Sequence, residues 1–124
     1  MILLSRTERR FAEYKAAKKA EIEQWRDAAC YENVTALNRE WQADARSQDL
    51  LNKAISLAGM GLPLPEVWRD ADNNDMAVSS INELLVIAGA MALQTQTAYG
   101  ISWTLKAQVD AATTTEEIEA VVWP

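Results

Sequence analysis

Histidine is absent from this chain, cysteine occurs once, proline three times and glycine four times. Without histidine there is no Ser-His or Cys-His nucleophile pair and no imidazole acid–base catalysis, and the commonest zinc ligand is missing. Cys30 has no partner for an internal disulfide, so nothing implies an oxidising compartment. The glycines, at positions 59, 61, 89 and 100, make no phosphate-cradling pattern. Basic residues are also in the minority. Twelve Lys and Arg against eighteen Asp and Glu leave a formal charge of −6, the reverse of the balance that suits a nucleic-acid binder. What remains is a chain of 124 residues with 49% hydrophobic content, enough for the core of one soluble domain. No catalytic residue, metal ligand or cofactor is expected, and the chain does not read as an enzyme.

The apolar start Met1–Leu4 runs at once into Arg6, Glu8, Arg9 and Arg10, so no secretory signal is expected. Leu84 to Leu105 carries no formal charge and is long enough to span a bilayer. Its second half holds Gln94, Thr95, Gln96, Thr97, Ser102 and Thr104, however, so burial against protein is expected and membrane contact is not.

Residues 5–29 contain neither Gly nor Pro and read as one long helix. Phe11, Tyr14, Ile22 and Trp25 share a thin stripe on it, interrupted by Lys18, and are the candidate partner contacts. Up to residue 27 there are seven basic and five acidic residues, and beyond it five basic and thirteen acidic. The expectation is a helical arm, 1–30, distinct from a small α+β unit, 31–124, with its basic side solvated or turned towards an acidic neighbour such as a second copy.

Val34-Thr35-Ala36 and Glu40-Trp41-Gln42 predict a short hairpin about an Asn38-Arg39 turn. Asp44 is a good N-cap for a helix over 45–58. Pro63 and Pro65 force an extended loop. Glu66–Asp70 and Asp75–Val78 predict a second hairpin about Asp72-Asn73-Asn74, with Val67 or Trp68 turned inward. Ser80-Ile81-Asn82-Glu83 is a capping box opening the main helix, and Thr113–Glu117 opens a short last one anchored by Trp123. The fold class expected is therefore α+β and mostly helical, with two small hairpins. A main helix of about 30 residues runs roughly 45 Å, beyond the roughly 35 Å diameter of a compact domain of this size, so an elongated chain is expected.

That helix is apolar on more than one side. Ile81, Leu84, Leu85, Ala88, Met91, Ala92, Thr95 and Tyr99 hold one face and are the candidate oligomer interface. Val86, Ile87, Ala90, Leu93 and Ile101 widen the stripe beyond what one neighbour covers.

Other groups carry little chemistry. Asp70, Asp72, Asn74 and Asp75 look like the start of a calcium loop, but Asp75 stands where such a loop needs Gly and Ile81 where it needs a bidentate Glu, so a polar turn is expected. Cys30 has no activating partner. Glu116 and Glu117 suit a helix N-terminus. Five tryptophans read first as core and interface anchors, and second as a carbohydrate platform.

The order of several elements resembles a known family. Lys18–Ile22 leads to Trp41–Gln48. Then follow Val67-Trp68-Arg69-Asp70-Ala71-Asp72-Asn73-Asn74, the helix from Ile81, and Leu105–Thr114 before Glu116-Glu117-Ile118. Over roughly residues 16–123 this resembles a phage and prophage domain of unknown function, found in short proteins encoded beside tail-fibre genes and at the ends of tail-fibre and tail-fibre-assembly proteins. The resemblance implies a bacteriophage protein of the virion tail, or of the host cytoplasm during assembly. It would contact a tail-fibre or other tail protein as a structural part or chaperone and form a homo-oligomer, with a trimer favoured by the three-fold symmetry common among fibres. Helix-bundle packing suits the irregular apolar spacing better than a long coiled coil. A glycan-binding module at a fibre tip is the alternative.

Overall fold

The computed structural model describes residues 3–124 and is 62% helical. Eight elements follow one another: α1 (Arg6–Cys30), β1 (Val34–Ala36), β2 (Arg39–Trp41), α2 (Ala45–Gly59), β3 (Val67–Arg69), β4 (Asp75–Ala77), α3 (Ile81–Ala111) and α4 (Thr115–Glu119). The strands make two separate antiparallel pairs, β1 with β2 and β3 with β4. This is the mostly helical α+β class that the patterns predict.

Local chemistry sets the boundaries. Asp44 accepts the Ser47 backbone N–H at 2.9 Å and caps α2. Glu83 reaches back to the Ser80 N–H at 3.2 Å, the returning half of the capping box, and also takes the Ser79 N–H and hydroxyl. At α4 the Thr114 hydroxyl accepts the Glu117 N–H at 3.2 Å.

The first turn lies one residue earlier than expected. Ala36 pairs with Arg39, so the turn residues are Leu37 and Asn38, with φ of 55° and 58°. A two-residue hairpin needs positive φ at both central positions to match strand twist. Asn adopts that region readily; Leu does so at a steric cost.

The chain resolves into a terminal unit, the chain up to Ala28 with Thr97–Pro124, and a hairpin unit, Ala29–Gln96. The arm is not bare, because its one fully buried side chain, Ile22, packs with Leu105, Val109 and Val121, flanked by Trp25, Ile101 and Trp123. Around this core the unit is laced by long side chains. Lys106 meets Glu23 at 2.6 Å, Lys19 pairs with Asp110, Lys15 donates to the Asp110 carbonyl, and the Tyr14 hydroxyl donates to Glu119 at 2.6 Å.

The hairpin unit has the larger core: Val34, Trp41, Ala43, Leu51, Met76, Leu84, Ile87 and Met91. Trp68, half-buried, packs against it while Val67 is exposed, which settles which of the two turns inward. Gln48 and Gln94 both donate to the Cys30 carbonyl, at 3.3 and 3.4 Å, satisfying an acceptor that the end of a helix leaves open.

Candidate functional site

The junction of the two hairpins is built around Asp70. It directly follows β3 and is buried although charged. One carboxylate oxygen accepts the backbone N–H groups of Asp72 and Asn74, each at 2.9 Å, and the other accepts Arg39 Nη1 at 2.8 Å. The backbone completes the knot, with Ala71 N–H donating to the Glu40 carbonyl at 2.8 Å and Asp70 N–H to that of Asn74 at 2.9 Å. Asn73, at φ 62°, supplies the left-handed step that closes the loop. The Asn74 N–H foremost, and then the Arg39 guanidinium, hold the Asp70 carboxyl below the usual carboxylate range, against the opposite pull of desolvation.

This geometry decides what the acidic run does. Asp70 has both oxygens committed to the fold, so it organises a polar turn and ties the second hairpin to the first. Among the described residues no cluster of three or more acidic or thiol side chains is arranged to hold a metal ion. Cys30 is buried at the end of α1. Sequence reasoning missed the partner of Asp70: Arg39 lies 31 residues away, and only the corrected hairpin register explains how it reaches the carboxylate.

Beside this knot lies a cleft of about 310 Å³. It is lined by the apolar Trp41, Trp68 and Leu50, by the neutral polar Gln42, Ser47 and Asn73, and by the charged Arg69 and Asp70. Trp41 is almost wholly buried and its Nε1–H donates to the Ala36 carbonyl at 2.8 Å, so it forms a floor.

The candidate interface on α3 separates into two sides. In the hairpin unit Leu84 and Met91 face inward, Met91 with only 5% of its surface exposed, and Ile87 lies with them in the core. Ile81, Ala88 and Thr95 are half-buried. Leu85 and Ala92 are exposed, and so are Val86 and Leu93, the latter by 64%. The outward side of this stretch is therefore Leu85, Val86, Gly89, Ala92 and Leu93, and Met91 belongs to the chain's own core. In the terminal unit Tyr99 is exposed, lies 4.5 Å under the Arg26 guanidinium and meets Trp103 edge-on, with Trp103 itself 66% exposed.

The candidate partner contacts on α1 are likewise occupied from within. Ile22 is core, Trp25 and Phe11 are half-buried, and Tyr14 is partly exposed with its hydroxyl on Glu119.

By length and hydropathy alone α3 is a candidate membrane span among the described residues. In this fold one of its sides is taken by protein, since Leu84, Ile87 and Met91 share a core with Trp41 and Leu51.

Comparison with known proteins yields one family. A profile described as a domain of unknown function (DUF4376) matches residues 13–122. No curated protein and no solved structure matches.

Proposed function

We propose, from the premise that this chain belongs to the DUF4376 family, that it is a bacteriophage tail-fibre-associated protein. It acts through protein–protein contacts, as a structural component or assembly chaperone. The observation that carries the mode of action is the outward side of α3. Leu85, Val86, Gly89, Ala92 and Leu93 form a run without charge, with leucine and valine side chains in solvent. Isolated apolar residues on a surface need no explanation, but a contiguous set on one helix side marks a contact surface. Val86, Gly89 and Leu93 recur at spacings of three and four, which suits packing against another helix. The virion context rests on the resemblance of the Trp68–Asn74 and Leu105–Thr114 elements to phage proteins. Self-association is part of the reading, with three-fold assembly favoured by the fibre context.

The experiment is co-expression with the fibre protein encoded beside it, using wild type and Leu93→Asp. Leu93 lies outside the core, so the substitution leaves the chain's own melting intact. The wild type is expected to co-purify with the fibre protein and to shift from monomer mass in light scattering, and Leu93→Asp to lose both. A monomeric wild type that leaves the fibre protein's yield and composition unchanged overturns the proposal.

A further inference from the structure

We infer that the cleft beside the hairpin junction binds a neutral saccharide, one or two pyranose rings in size. This develops the glycan alternative into a site and does not depend on any tail-fibre assembly role. Four observations carry it. The cleft, about 310 Å³, lies at the lower end of the range for small-ligand sites, about 300–1,000 Å³. It combines a half-buried indole, Trp68, and the exposed Leu50 with the Trp41 floor. The negative face of an indole attracts the weakly positive C–H hydrogens on the flat side of a pyranose.

Gln42 and Asn73 line the same cleft, and their side chains make no hydrogen bond to the rest of the protein among the described residues, whereas the Ser47 hydroxyl is held by the Asp44 carboxylate. Two amides offer both donors and acceptors, and each suits a pair of neighbouring ring hydroxyls. The charges in the lining are already matched. Arg69 Nε donates to Asp75 Oδ1 at 3.0 Å, and Asp70 is held by Arg39. A phosphate or carboxylate ligand would meet no free cation here and would face Asp70, so nucleotides and acidic sugars are disfavoured and an uncharged polyol is favoured.

The loop that positions Asn73 allows a clean test. Asn73 holds φ at 62°, and glycine takes that conformation without strain, so Asn73→Gly removes the amide and keeps the turn. The full chain is titrated with glucose, galactose, mannose, N-acetylglucosamine and their disaccharides, with glucuronate and glucose 6-phosphate as charged comparators. Tryptophan fluorescence and saturation-transfer NMR are the readouts. At least one neutral sugar is expected to bind at millimolar concentration or tighter, with transfer to its C–H face. Asn73→Gly weakens it about tenfold, near the loss of one hydrogen bond, at unchanged thermal stability, and Trp68→Ala abolishes it. Because the isolated chain is assayed, failure here leaves the fibre proposal standing, and the reverse holds too. No saturation transfer from any neutral sugar at millimolar concentration, tighter binding of the charged comparators, or binding indifferent to Asn73→Gly and Trp68→Ala overturns the inference.

Discussion

The two units of this chain are held by different physics. The hairpin unit surrounds Trp41, Leu51, Leu84 and Ile87 with apolar neighbours, and its one buried carboxylate, Asp70, has a donor on each oxygen. The terminal unit has a smaller core, Ile22 with Leu105, Val109 and Val121, and a periphery of lysine–carboxylate pairs, Lys19 with Asp110 and Lys106 with Glu23. Apolar burial is not weakened by ionic screening, whereas exposed pairs are. The lesson is that the unit with more visible contacts across its surface is the one whose stability depends more on the solution around it.

The comparison breaks first at its cores. Leu84→Ala removes a fully buried side chain from the larger cluster and is expected to destabilise by about 3–5 kcal/mol, read by denaturant unfolding. Ile22→Ala should cost about 2–3 kcal/mol, since the smaller cluster relaxes more easily around the gap. Hydrogen exchange should show its effect concentrated at residues 101–109, with Leu84 and Ile87 still protected. Equal loss of protection in both units would mean that they open as one.

Asp70 sharpens the contrast by pH. Its folded carboxyl titrates below the ordinary value, so its tie is complete above about pH 4, where the unfolded carboxylate is also ionised. The tie is lost as pH falls through the lower, folded value. Protection factors of the Asp72 and Asn74 amides, with the intrinsic slowing of exchange in acid divided out, should fall on acidification in the wild type, and Asp70→Asn should show low protection at every pH. Leu37→Gly relieves a left-handed leucine and should stabilise by up to about 1 kcal/mol, measured as a rise in melting temperature. Smallest is Lys106→Gln, which removes the pairing that holds Glu23 below its usual range. Its effect should vanish at 1 M salt, roughly where the screening length falls to about 3 Å.

Local rules were readable from the residues where a side chain acts on its own neighbourhood. Asp44 announced α2, Ser80 and Glu83 announced α3, and the Asp72-Asn73-Asn74 run announced the second turn. The first turn departs from its pattern because a two-residue loop recruits Leu37 beside Asn38, and leucine carries no turn signal of its own. α3 failed in a different way. Its apolar residues surround the helix, so periodicity selects no single side, and only the tertiary partners decide that Leu84 and Met91 turn in while Leu85 and Leu93 turn out. The pairing of Arg39 with Asp70, and the shared hold of Gln48 and Gln94 on the Cys30 carbonyl, join positions that no local pattern connects.

The split composition of the terminal unit also sets an order of events during synthesis. Its first part, up to Ala28, leaves the ribosome long before Thr97, while the hairpin unit between them is continuous in sequence. Lys106 must find Glu23 across 83 positions, against 31 for Arg39 and Asp70. Each doubling of a loop adds only about 0.6 kcal/mol to its closure, but distant contacts slow folding far more than they weaken the product. The continuous hairpin unit, with the α3 residues Leu84, Ile87 and Met91 in its core, is therefore expected to form before the terminal unit, whose Ile22 side stays uncovered until Thr97–Pro124 are made.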